Sequence, residues 1–154
     1  KGKSMKNISI ALAFSALAIF AAPLASTSDN LLGATAAHAE MMSISTGMIK
    51  GVGGNYIGEG NVKIVKDDSG KHTLELSDFT STAGPDLKVF LVEGSSLKDG
   101  NDVIAGNHVN LGVLKSTSGA QSYVLPEGVD PANFGSVAIF CEKYTVLFSS
   151  ADLK

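Results

Sequence analysis

Cys141 is the only thiol in the sequence, and its three imidazoles are His38, His72 and His108. With a single cysteine, no internal disulfide can form and a cysteine-built metal cage is excluded. Covalent c-type haem attachment is excluded too, because the Cys-x-x-Cys-His run is missing. A blue-copper site needs a His and a Met shortly after its cysteine; only 13 residues follow Cys141, and none is either type. A metal held by His72, His108 and Cys141 would need three distant segments to converge. A serine hydrolase would show a Gly-x-Ser-x-Gly elbow ahead of a helix, and none is present. The acidic runs Asp67-Asp68 and Asp99-Gly100-Asn101-Asp102 are oxygen-rich, but their spacing is not that of a helical calcium loop. Both read as turns in which a carboxylate accepts nearby backbone N–H groups.

What remains is a thiol and a set of aromatics, Phe90, Tyr123, Phe134, Phe140, Tyr144 and Phe148. These rings could line a ligand pocket, but at alternating spacing they also suit a core. In Ser136 to Glu142, Val137, Ile139 and Cys141 share one face and Glu142 falls on the other. That apolar face predicts a buried thiol, shielded from reagents and unreactive.

The elements that position these groups are strands. After residue 40 the pattern has period two, and no run of ten residues shows helical spacing. Fifteen glycines in the 115 residues from Glu40 onward also disfavour helix. Asn61 to Lys66 and His72 to Asp78 alternate across the turn Asp67-Asp68-Ser69-Gly70 and predict a hairpin. Leu87 to Val92 is nearly all apolar and predicts a central strand covered on both faces. Glu93 to Asp102 predicts an exposed loop. Val103 to Ile104, Val109 to Leu114 and Gln121 to Leu125 predict short strands, the last stopped by Pro126. Asp130-Pro131 opens a turn or one helical turn through Phe134. Ser136 to Glu142 and Tyr144 to Ser149 are the strongest strand pair. The expected fold is all-β: a single β-sandwich or squat barrel of seven to eight short, mostly antiparallel strands.

Ahead of this domain, Lys1, Lys3 and Lys6 precede an apolar run from Ile8 to Ala22, then Pro23 and a small-residue stretch ending Ala37-His38-Ala39. This order is that of a signal peptide over residues 1–39, with cleavage expected near Ala39/Glu40. The 15-residue apolar run spans only about 22 Å as a helix, short of the ~30 Å needed to cross a bilayer. The expected product is residues 40–154, secreted, periplasmic or extracellular, with no stable membrane insertion after cleavage. It carries 9 lysines against 14 acids. The whole chain has no arginine, which argues against nucleic-acid binding.

Several segments in order carry a family likeness. They are Leu74-Glu75-Leu76-Ser77-Asp78-Phe79, Gly84-Pro85-Asp86-Leu87-Lys88-Val89-Phe90-Leu91 and Leu111-Gly112-Val113-Leu114-Lys115. Gly119 to Pro126 and Ser136 to Phe148 follow, ending Ala151-Asp152-Leu153. Together they make the stretch from Gly47 to Leu153 resemble a DM13 domain. The resemblance implies an extracellular all-β module, often joined to redox modules and proposed to act in electron transfer. It implies that Cys141 acts as a free thiol or as a ligand to a prosthetic group such as haem, lined by Phe140 and Tyr144. The family aromatic before the cysteine is commonly Trp, where this chain has Phe140. Family members often carry a His in the region of Gly53 to Tyr56, where this chain has Asn55 and Tyr56. Pro85 and Asp86 form the family's corner, with Asp86 expected to fix the turn.

Two functions are therefore expected to compete. One is a redox or electron-transfer accessory module acting through Cys141, meeting a redox partner protein or a small ligand. The other is a non-catalytic extracellular binding or structural module in which Cys141 is buried core. A Cys141-linked dimer would form only if the thiol were exposed. An enzyme is the less favoured expectation, since no paired-acid or triad constellation is visible.

Overall fold

The computed structural model describes residues 41–154. The expected leader and its cleavage position lie outside the described residues. Among those described, no helix is long and apolar enough to cross a membrane.

Eight strands form one sheet: β1 (Met42–Gly51), β2 (Gly58–Lys66), β3 (His72–Ser81), β4 (Leu87–Val92), β5 (His108–Val113), β6 (Gln121–Val124), β7 (Ser136–Cys141) and β8 (Val146–Asp152). Their order is β5-β4-β7-β8-β1-β2-β3-β6, and every pairing is antiparallel. The sheet curls until its two edge strands, β5 and β6, approach each other, giving a nearly closed barrel. The barrel is the second of the two architectures expected from the sequence. The β5–β6 loop braces this seam: the Lys115 backbone N–H donates to Tyr123 Oη at 3.0 Å, and Lys115 Nζ donates to the Ser122 carbonyl.

Alternation decides what fills the barrel. Val62 and Ile64, Leu74 and Leu76, Val89 and Leu91, and Val137, Ile139 and Cys141 all point inward. Ile49, Phe79, Leu87, Tyr123, Leu125, Phe148 and Ala151 complete that core. β4 and β7 are covered on their outer face as well. There Phe90, Val92, Ala138, Phe140 and Leu147 pack under Leu97 and Val103. This explains why Leu87 to Val92 is apolar at nearly every position. Phe90 and Phe140 meet edge to face at 5.4 Å in this second layer.

The cover is supplied by the stretch read from sequence as a loop and a strand. Instead, Gly100–Ala105 is a short helix, α1. Asp99 caps it, its carboxylate accepting from the Asn101 N–H at 2.7 Å and the Asp102 N–H at 3.3 Å. Val103 is thus a helical anchor in the second layer, not a strand residue. Two β-branched or apolar residues, Val103-Ile104, mimic a strand when read without the cap that precedes them. The other unforeseen element is β1. Its outward residues include Ile44 and Met48, so apolar residues do not keep to one face.

The expected hairpin of β2 and β3 is present, with Val62 opposite Leu76 and Ile64 opposite Leu74. Asp67 organises its turn, accepting from Ser69 Oγ, the Ser69 N–H and the Lys71 N–H. The Ser69 hydroxyl, then the Lys71 backbone N–H, hold the Asp67 carboxyl below the usual carboxylate range. Stability from this turn is present above the unfolded carboxylate pKa and is lost as pH falls through the lower folded value.

Candidate functional site

The antiparallel pairing brings the end of β1, the start of β2, the end of β3, the start of β4, the end of β7 and the start of β8 to one mouth of the barrel. Cys141 is the last residue of β7 and stands opposite Leu87 and Val146. It is 1% exposed and faces the inner core. The thiol is therefore enclosed, as the Val137/Ile139/Cys141 face predicted.

A ring pair packs against the same core. Phe148 sits in the register shift between β7 and β8 and stacks on Tyr56 at 4.1 Å, with 24° between the ring planes. Tyr56 belongs to the β1–β2 loop. The loop and the cysteine thus meet at one end of the barrel, although they are 85 residues apart. Gly84 is at the same mouth, and a Cβ there would come within 3.0 Å of Phe148 Cζ and 2.9 Å of a Leu87 methyl. Gly58 is held against β8 just as tightly, since a Cβ on it would overlap the Ser149 side chain.

Ser149 is the polar residue of this wall. It faces Ile139 across the β7–β8 pair and is fully buried, and its hydroxyl has no hydrogen-bond partner. An unpaired buried hydroxyl carries a desolvation cost of about 1–3 kcal/mol. Ser149→Ala is expected to leave stability unchanged or raise it by about 1 kcal/mol, read as the urea midpoint. A clear loss would mean that the hydroxyl makes a bond in solution.

Above the thiol, Glu142–Tyr144 forms a single 3₁₀ turn before β8. It ends on Thr145, whose φ of 55° is left-handed. A β-branched residue is disfavoured there by about 1–2 kcal/mol. Gly100 of α1 fits directly beneath the Thr145 carbonyl, with no room for a side chain. Thr145→Gly is expected to raise stability by roughly 0.5–1 kcal/mol, since glycine accepts φ near +55° but gains unfolded-state freedom. Thermal denaturation checks the sign.

The corner before β4 is tied to this turn. The Glu142 N–H donates to the Asp86 backbone carbonyl at 3.2 Å. Lys88 Nζ pairs with Glu142 and lies 3.7 Å from Asp86 Oδ1. Asp86 thus ties the corner through its backbone carbonyl and an ion pair. Pro85 is exposed beside it.

The structure does not bring the aromatics named with Cys141 into one pocket. Phe140 points the opposite way, into the layer under α1. Tyr144 is 61% exposed, with Lys143 Nζ 5.3 Å from its ring centroid. Tyr56 and Phe148 hold the neighbouring positions instead. Phe148 was legible as an aromatic, but its inward turn depends on the register shift, which alternation does not show. His72 and His108 begin β3 and β5, at the barrel end away from Cys141, so the three do not converge. Among the described residues, no three His, Cys, Asp or Glu side chains gather as a metal site would need.

A haem does not fit beside Cys141 in this arrangement. Its surroundings are filled by packed aliphatic and aromatic side chains, and it lines neither the groove over β8, β1, β2 and β3 nor the one between the β2–β3 turn and Pro126.

These features define a small all-β barrel with one enclosed thiol at a mouth closed by aromatic rings. The family model described as "Electron transfer DM13" matches residues 53–153, and the chain belongs to that family. No curated protein and no solved structure matches it.

Proposed function

We propose that this chain is an exported redox accessory module of the DM13 electron-transfer family, acting through Cys141. The observation that carries the reading is the placement of the only cysteine at the strand end closing the mouth, beside the β1–β2 loop. Its partner is a redox protein or small ligand that reaches the thiol when the mouth opens locally. Local opening is favoured there because Cys141 ends its strand and Thr145 holds a disfavoured backbone conformation. The β1–β2 loop beside the mouth contains Gly53 and Gly54, both at positive φ and with no neighbour where a side chain would stand.

Deep burial favours a second reading, the non-catalytic module in which the thiol only packs. An absorption spectrum of the purified chain, with and without added haem, bears on the choice of redox group. With the interior filled, the free-thiol form is the one expected, giving a colourless protein that takes up no haem. A Soret band that disappears in Cys141→Ser would overturn the free-thiol form in favour of a held prosthetic group. In the free-thiol form the Cys141 thiolate displaces one sulfur of a small disulfide mediator, forming a mixed disulfide and releasing the mediator's other half as a thiol, and this exchange must be lost in Cys141→Ser. Identical behaviour of wild type and Cys141→Ser would sink the redox reading and leave the packing one.

A further inference from the structure

On the outer face of the sheet, away from the enclosed thiol, strands β8, β1, β2 and β3 form the floor of a groove of about 630 Å³, with Ser96 of the β4–β5 loop at its side. Three of the nine lysines of residues 40–154 line it: Lys50, Lys63 and Lys154. All three are exposed, and among the described residues the ion pairs involve Lys88 alone. Asp152 is the one acid in the lining, and it is already engaged, accepting from the Ser96 N–H at 2.6 Å and Ser96 Oγ at 3.1 Å. In the middle stands Met48, 66% exposed, on the strand between these groups.

We infer that this groove docks an extended acidic segment of a partner protein. The charge pattern argues for it. Residues 40–154 carry five more acids than lysines, yet this lining carries three lysines against one committed aspartate. Spacing argues for a chain and not for a single small anion. Thr46 lies opposite Lys63 on one side and exchanges backbone hydrogen bonds with Lys154 on the other. Lys63 and Lys154 therefore start about 10 Å apart, two strand spacings, and Lys50 starts about 13 Å further along β1. The ~13 Å interval along β1 is about two repeats of alternate side chains on an extended segment, which recur every ~7 Å, and the lysine stems reach across the ~10 Å between Lys63 and Lys154. The lining has no aromatic residue, so a flat cofactor has nothing to stack on. Met48 supplies an adaptable apolar contact for the segment's aliphatic stems. The chain's own first 40 residues hold two acids, Asp29 and Glu40, against three lysines, so the complement comes from another molecule.

The inference does not depend on Cys141. The test titrates a hexaglutamate peptide into the full chain, followed by NMR shifts, at 20 mM and 300 mM salt. Binding is expected at low salt, with shifts centred on β1 and β2, and at least tenfold weaker at high salt. The triple variant Lys50→Gln, Lys63→Gln, Lys154→Gln is expected to bind at least tenfold more weakly. A control with the same charge change elsewhere, Lys66→Gln, Lys71→Gln, Lys98→Gln, should lose less than threefold. Equal losses in the two triples would overturn the site, and so would no binding at low salt. Succinate or inorganic phosphate binding as tightly as the peptide would overturn the extended partner.

Discussion

Gly58→Ala is expected to destabilise the barrel by about 3 kcal/mol or to prevent folding. A methyl group at that position overlaps the Ser149 side chain and also approaches the Gly51 N–H at 3.0 Å. Both neighbours belong to paired strands, so relief requires β1, β2 and β8 to separate where the mouth is closed. Overpacking of a rigid site costs typically 1–3 kcal/mol, and more where backbone must move. Gly70→Ala is a useful comparison, because its φ of +86° gives strain without a backbone clash. It should cost no more than about 1–2 kcal/mol. Urea denaturation of the two variants measures the difference. Equal small losses would show that the approach of β2 to β8 is looser than described.

Phe148→Ala is the second large effect, expected to cost about 3 kcal/mol. Phe148 is 6% exposed and stacks on Tyr56, so its removal leaves a cavity and an unpaired ring. The same variant should label at Cys141 at least tenfold faster than the wild type with a disulfide reagent under native conditions. Ile64→Ala, deep in the barrel at 0% exposure, should destabilise by a similar amount. It should change labelling less if opening at the mouth is local. Equal acceleration by both would mean that the thiol is reached only by global unfolding.

Much of the fold was legible because its strands obey simple alternation. The β2–β3 hairpin, the doubly covered β4 and the inward face of Cys141 all follow from apolar residues two apart. β1 was not legible, because Ile44 and Met48 face outward while only Ile49 is buried. The helix α1 was hidden by its length of six residues, too short to show a period. Its signal was local: Asp99 before Gly100, with the carboxylate free to cap. At the candidate site, the cysteine's burial was readable but its neighbours were not. Strand alternation puts Phe140 on the opposite face from Cys141. Tyr144 is lifted into solvent by the 3₁₀ turn. Tyr56 and Phe148 reach the mouth through a loop and a register shift, and period two reports neither.

The central claim is that Cys141 is enclosed but reachable by local opening of the mouth. Labelling of the wild-type thiol in native buffer, compared with the global unfolding rate in the same buffer, tests it most directly. The expected result is labelling far slower than for an unfolded thiol, yet faster than global unfolding and rising with reagent concentration. Labelling that waits for global unfolding would contradict the claim and leave Cys141 as packing alone.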